Sequence, residues 1–453
     1  MSKRIVCTTI TKNYLAYART LAETLLEHNP DVELYVLLVD RLEDVFDPTV
    51  ELFKLIQLEE LPDQKLIEQM TFYYTPFELC CALRGALHQY IFETLAAESW
   101  IFLDSDVMVC HSLNVIFDQL SEVSILLSPH VETPISLDRA PHLEISLLRG
   151  GVYNGGFLGL RRTDQTYQFI QWWKERLTYY GFSDPPIGDP RGLFVDQLWL
   201  NFVPLYFRDS KFLRHPGANI GHWNFYERQF DYDLNGTVTV NQQPLLFLHL
   251  SGWDLFNPYQ ISKYSLLSYN DQIDSPWGKM AEIYREKLLK NGYETTSHLP
   301  YAFGTFCDGT SIEWTMRRGY YDELMHGTAD DDSPFDRPEY FQTRTNLVNS
   351  THVLSARLQQ ADQTIHHLHI QVEQTQAALQ NTIAQHQHTI EQYQHTIAQH
   401  QHTIEQHQHT IEHKDTVIAH HQERLQEMEN SKFWKLRNFW WKLKRSLEQL
   451  FHR

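Results

Sequence analysis

Glycine is missing from the first 84 residues of this chain, Gly85 being the first. That absence excludes a Gly-rich dinucleotide fingerprint or a phosphate loop after the first strand, because both need glycines where backbone turns beneath a phosphate. Cysteine is scarce: Cys7, Cys80, Cys81, Cys110 and Cys307 lack metal-type spacing and lie mostly in apolar runs. They read as buried free thiols in a reducing cytoplasm. No run reaches the roughly 18–20 apolar residues of a membrane span, and Met1-Ser-Lys-Arg leads straight into a short strand, so neither a spanning helix nor an export signal is expected. Positive charge is in deficit, with a net charge of -19, which argues against general nucleic-acid binding. At 453 residues the chain exceeds the roughly 250–300 residues of one core, so one large domain and a further segment are expected.

What is present begins with alternation. Ile5-Val-Cys-Thr-Thr reads as a strand, Tyr14 to Glu27 as an amphipathic helix closed by His28-Asn29-Pro30, and Leu34 to Asp40 as a second strand. This spacing predicts an α/β fold with a parallel sheet and crossover helices. A helix from Glu78 to Ala97 leads to a further strand, and others are predicted at Val123–Leu127, Gly156–Leu160 and Leu245–His249, with loops such as 184–190 between helices.

Composition changes near residue 328. The reading is a domain over 1–328, a linker over 329–350, a His/Gln-rich coiled coil over 351–430 and a basic, Trp-rich amphipathic helix over 431–453. No proline or glycine follows Pro338. Ile383, Ile390, Ile397, Ile404, Ile411, Ile418 and Leu425 recur every seven residues, with Leu358, Ile365, Val372 and Leu379 upstream in an offset register. One heptad frame covers both sets and predicts a left-handed coiled coil, hence a homo-oligomer, about 63 Å long from Ile383 to Leu425. The other seam position is filled by His386, Tyr393, His400, His407, Lys414 and His421. Histidine charges near its ordinary pKa, so this seam should loosen below roughly pH 6. In the last segment Phe433, Leu436, Trp440, Leu443, Leu447 and Leu450 make an apolar stripe, with six Lys and Arg between Lys432 and Arg445. Such a helix suits an anionic membrane surface, each cation contributing about 1 kcal/mol there.

The chemistry centres on Trp100-Ile-Phe-Leu-Asp-Ser-Asp. Alternate residues of an extended chain share a face, so Asp104 and Asp106 can reach one divalent ion, and that ion could neutralise a diphosphate. Four more clusters accompany it. Leu148-Arg-Gly-Gly-Val-Tyr-Asn-Gly-Gly-Phe offers Asn154 among glycines that allow close backbone approach to a ligand. Phe194-Val-Asp-Gln offers Asp196 and Gln197, His249 ends an apolar run before Ser251-Gly252, and Lys263 follows.

In order and combination these blocks resemble the retaining glycosyltransferases of family eight, the glycogenin and lipopolysaccharide-galactosyltransferase type, and related bacterial proteins of the GT-A fold, over about residues 5–265. The resemblance implies a Rossmann-like GT-A domain, a nucleotide-sugar donor and Mn²⁺, or Mg²⁺, held by Asp104, Asp106 and His249. A mixed carboxylate and imidazole set suits Mn²⁺ better than Mg²⁺. It further implies donor-sugar contacts from Arg84, Asn154, Gly155 and Gly156, and a catalytic place for Asp196 and Gln197. Thr8, Thr9, Asn13 and Tyr14 are the candidates for base and ribose, without the family's usual acidic residue. The chain departs from the family again after the histidine, reading Gly252-Trp-Asp-Leu-Phe-Asn instead of Gly-x-x-Lys-Pro-Trp, so the phosphate contact falls to Gly252 and Lys263. The function implied is transfer of a sugar, from UDP and with retention, to a glycan, lipid-linked or protein acceptor at the cytoplasmic membrane face. Two other readings stand beside it: a sugar-phosphate nucleotidyltransferase, which would want a Gly-rich, Arg-containing loop near the N-terminus, and a non-catalytic membrane scaffold.

Overall fold

The computed structural model describes residues 3–136, 140–183, 193–258, 260–264, 275–330, 332–348 and 432–451, with isolated positions between 371 and 427. The heptad segment 351–430, apart from those isolated positions, and the loop 184–190 lie outside the described residues. The chain forms two units, Met1–Gln363 and Thr364–Arg453.

In the first unit a sheet is built from β1 (Arg4–Ile10), β2 (Glu33–Leu38), β3 (Lys54–Gln57), β4 (Ser99–Leu103), β6 (Ile125–Pro129), β7 (Tyr153–Arg161) and β8 (Ser210–Phe212). Their order is β3-β2-β1-β4-β7-β6-β8. The parallel sheet expected from the alternation is found for β1, β2, β3 and β4, and β6 and β8 are also parallel to each other, while β7 runs antiparallel to both β4 and β6. The remaining short strands are β5 (Val107–Val109), β9 (Phe230–Tyr232), β10 (Val238–Val240), β11 (Gln243–Pro244) and β12 (Phe247–His249).

Both faces of the sheet are covered, which is why β1 and β4 read as continuous apolar runs. Pleating sends Ile5, Cys7, Trp100 and Phe102 into one core and Val6, Ile10, Ile101 and Leu103 into the other. The helix Leu15–His28 covers the second face with Leu15, Ala18, Leu21 and Leu25, at helical spacing.

The helix expected over 78–97 is broken into Pro76–Ala82, Arg84–Tyr90 and a wide π turn at Ile91–Leu95. Thr75 and Glu78 form a reciprocal cap at its start, with Pro76 in the first turn. Gly85 is needed for packing: a Cβ there would lie 2.6 Å from Cα of Lys174. Glu78 is also the buried ion-pair partner of Arg318, and Arg317 donates to the carbonyls of Phe72 (2.7 Å), Tyr74 (3.0 Å) and Phe303 (2.7 Å). These bonds bind the helix Trp314–His326 to the sheet domain. Part of the segment expected as a linker follows it: Phe335 and Phe341 are buried against Phe72, and residues Pro338–Val348 are helical.

Candidate metal centre and donor site

β4 ends at Leu103 and the chain turns through Asp104-Ser105-Asp106 into β5. Backbone bonds set this turn, Asp104 N donating to Gly156 O (3.0 Å) and Val107 N to Asp104 O (3.2 Å). β12 pairs antiparallel with β5, placing His249 opposite Val107, and Leu250 N donates to Asp106 O (3.0 Å). His249 Nε2 thereby lies 3.2 Å from Asp106 Oδ1 and 3.6 Å from Asp104 Oδ2. One ligand atom from each of the three residues falls within 4.8 Å of the others.

The other imidazole nitrogen is engaged. His249 Nδ1 is 3.1 Å from Asn219 Oδ1, while Asn219 Nδ2 donates to Asn154 Oδ1 (3.1 Å) and Ser128 Oγ (2.9 Å). Because the Asn219 oxygen can only accept, Nδ1 carries the proton and the Nε2 lone pair faces the aspartates. Burial pushes the His249 pKa down, but Asp106 and Asp104 outweigh it and the net shift is upward. A divalent cation on these ligands would replace the second proton, the one the carboxylates favour on Nε2. Two carboxylates and an imidazole fit a first-row divalent ion. Gly156 leaves them room, since a Cβ there would lie 2.2 Å from His249 Cε1 and 2.6 Å from Asp104 Oδ2.

Arg84, near the start of its helix, joins this centre to a second carboxylate. Its Nη2 pairs with Asp104, and its Nη1 bonds Asp196 Oδ2 (2.8 Å) and Gly155 O (2.7 Å). Its guanidinium also lies 4.4 Å from the Phe102 ring centroid. Burial opposes the Arg84 charge, and Asp104 with Asp196 more than restores it. Asp196 is buried; desolvation pushes its carboxyl up against the pull of Arg84. Val195, a β-branched residue, sits at φ 40 immediately before it, which marks local backbone strain beside the buried carboxylate. Gln197 holds the glycine segment, accepting from Gly155 N (3.0 Å) and donating to Gly150 O (2.7 Å).

The remaining candidates are placed unevenly. Tyr14 is stacked on Tyr17 at 4.9 Å, and desolvation, with a smaller part from the Asp106 charge, raises its phenol to about 12. Asn13 accepts from Thr11 Oγ1 (2.5 Å). Thr9 is buried on the Cys7 side of β1, while Thr8 alternates with Val6 and Ile10 and is buried under the helix Leu15–His28. Gly252, at φ +67, accepts from Lys263 N (2.9 Å), which ties the Lys263-Tyr264 turn to the end of β12. The Lys263 ammonium lies 5.0 Å from the Tyr264 ring.

Sequence reasoning missed Asn219 and Trp223. Asn219 adopts φ 49, a conformation asparagine tolerates, and Trp223 packs edge-on to His249 at 5.0 Å. The Asn-rich turn 219–224 carried a faint signal, but its value to His249 depends on a contact across the fold. Lys12 was also missed; it is buried and paired with Asp40 and Glu43.

Fold and site together define a mixed α/β domain with an Asp-Asp-His candidate divalent-metal centre. No protein-family model matches the chain. The uncharacterised proteins YfnF and YfnD of Bacillus subtilis are each 25% identical, over 62% and 67% of this chain and 90% and 93% of theirs. Similar solved structures are glycosyltransferases. GlyE of Streptococcus pneumoniae TIGR4 is 18% identical over 68% of this chain and 67% of that one, with a TM-score of 0.36. The galactosyltransferase LgtC, solved with donor and acceptor sugar analogues, is 15% identical over 66% of this chain and 97% of that one, with a TM-score of 0.39. At these scores the likeness transfers neither site nor substrate. Among the described residues, no helix is long and apolar enough to cross a membrane.

Proposed function

We propose that this chain is a metal-dependent glycosyltransferase of the GT-A type that moves a sugar from a nucleotide sugar, UDP-linked and with retention, to a glycan, lipid-linked or protein acceptor. The observation that carries this reading is the convergence of Asp104, Asp106 and His249 beside the Arg84–Asp196 pair. Breaking the bond between sugar and diphosphate leaves negative charge on the departing oxygen and positive charge on the anomeric carbon. A bound Mn²⁺, or Mg²⁺, would supply positive charge against the former. Asp104, Asp106 and His249 Nε2 would hold it.

Asp196 serves the anomeric side. Arg84 opposes, without reversing, the upward push of burial on its carboxyl and fixes its position, which suits a group that steadies the developing cation or attacks it. Gln197 orients the Gly150–Gly155 segment around the sugar, and Asn154, Gly155 and Gly156 let backbone approach it. Tyr14, with Thr9 and Asn13, would meet the nucleoside, and Lys263 the diphosphate. The helix Lys432–Phe451 has exposed Phe433, Leu436, Trp440 and Trp441 among its cations, which supports peripheral association with an anionic cytoplasmic leaflet. The heptads support oligomerisation. The test is hydrolysis of UDP-sugars by the full chain with and without Mn²⁺. Turnover that is lost in Asp104→Ala and His249→Ala is expected; turnover indifferent to both overturns the metal assignment, and none with any nucleotide sugar favours the scaffold.

A further inference from the structure

A cavity of about 470 Å³ lies away from the metal cluster, at the end of β7. That volume is within the range of small-ligand sites. Leu148, Val152, Tyr153 and Phe212 give it an apolar wall, and Glu144 and Arg214 add charged groups. Tyr153 and Phe212 are stacked at 5.4 Å. Strand geometry links this wall to the chemistry: Tyr153 and Gly155 share a face of β7 about 7 Å apart, and a Cβ on Gly155 would lie 3.0 Å from Asp196 Oδ2. The cavity wall and the buried Asp196 carboxylate therefore lie on the same side of the sheet.

An exposed aromatic ridge adjoins the cavity wall at Val152. Val152 N donates to Asn201 Oδ1 (3.0 Å), and Phe202 follows. Phe202 and Tyr206, four residues apart on one side of the chain, stack at 5.3 Å and are 40% and 55% exposed. Trp199 lies between Phe202 (6.4 Å) and Tyr180 (6.2 Å), and Leu205 is 72% exposed. An apolar surface of this kind on a folded domain marks a binding surface. Of its cations, Arg176 is paired with Glu175 (2.6 Å) and Arg228 with Glu132 (3.0 Å), while Arg214 lies over the Phe212 ring at 5.8 Å. An anionic lipid surface would want them free. Flat rings beside the Glu144 carboxylate, the Arg214 guanidinium and a Glu132 carboxylate already paired with Arg228 suit a neutral partner with apolar faces and many hydroxyls.

We propose that the cavity and ridge form an acceptor track for a glycan chain, its terminal ring against Tyr153 and earlier rings on Phe202 and Tyr206. Its role rests on the transferase reading; its existence as a binding site does not. The test is calorimetric titration of the full chain with a panel of short, neutral, linear oligosaccharides, beside a Phe202→Ala/Tyr206→Ala variant whose exposed positions leave the fold intact, as checked by melting temperature. Binding by the wild type, weakened about tenfold or more in the double variant, is expected. A wild type that ignores the whole panel, or a double variant that binds undiminished, overturns the track. Loss of phosphatidylglycerol-vesicle or unfolded-peptide binding in the double variant, with no oligosaccharide bound by the wild type, overturns it in favour of a lipid or protein acceptor. A chain that binds nucleotide sugar with Mn²⁺ but no oligosaccharide loses only the track; one that binds oligosaccharide but no nucleotide sugar loses only the transferase reading.

Discussion

Gly156→Ala is the sharpest perturbation of the metal centre. The added methyl would lie 2.2 Å from His249 Cε1, 2.6 Å from Asp104 Oδ2 and 2.8 Å from His249 Nδ1, roughly 1 Å inside van der Waals contact. Gly156 is not at positive φ, so the cost is steric rather than a backbone penalty. Either the imidazole and carboxylate move apart or the strand shifts, and overpacking of this kind costs about 1–3 kcal/mol. Displaced ligands should weaken metal binding about 100-fold, at the upper end of what misplaced ligand supports cost. At a metal concentration 100 times the wild-type Kd, the stabilisation from binding would fall from about 2.7 to about 0.4 kcal/mol. Urea denaturation with and without Mn²⁺ and UDP measures both quantities. Gly159→Ala is the control on the same strand: its methyl would meet only Leu126 and Leu120, at 3.1 and 3.2 Å, so it should lose stability alone. A Gly156→Ala protein that keeps the full Mn²⁺-dependent stabilisation would falsify the assignment of Asp104 and His249 to one metal.

Arg84→Ala should destabilise by about 3–5 kcal/mol, because it strands the buried Asp196 carboxylate; Arg84→Lys should rescue only part, one ammonium being unable to span Asp104, Asp196 and Gly155 O. Equal urea midpoints for wild type and Arg84→Ala would refute this. Asn219→Ala should weaken Mn²⁺ about 10–100-fold by releasing His249 Nδ1, while Asn219→Asp, which keeps that acceptor but loses the donor to Asn154 Oδ1 and Ser128 Oγ, should weaken it less. Calorimetry of the two variants decides it. His88 is held down to about 3 by burial and by Arg84 while its Nδ1 accepts from Trp100 Nε1 (2.9 Å). Its contribution is thus complete above the unfolded pKa of about 6.5 and is lost as pH falls from there toward the folded value, at about 1.4 kcal/mol per pH unit. Urea midpoints at about pH 7.5 and about pH 5.5 should fall less in His88→Gln; parallel losses would sink the idea.

Much of the sheet domain was legible. β1, the helix Leu15–His28, β2 and β4 follow from local alternation and periodicity, but Asp104 and Asp106, expected on one face of an extended chain, lie instead in the tight turn after Leu103. Short-range geometry is enough for the strands and the helix. The direction of β7, the break at Leu83 and the inward turn of Thr8 were not legible, because each depends on what lies across the sheet. The packing of Phe335 and Phe341 on Phe72 was hidden for a related reason: Asp- and Pro-rich flanks read as a linker until the aromatic partners are in place.

The candidate site divides in the same way. From the sequence alone came the paired aspartates, the glycines that admit a ligand, and the residue types able to hold a divalent ion. Tertiary structure alone decided that β12 would deliver His249 to those aspartates, that Arg84 would bridge Asp104 to Asp196, and that Asn219 would set the imidazole. The two aspartates are neighbours within one short turn, whereas a buried ligand set forms only when distant segments pack closely enough to satisfy one another's polar groups.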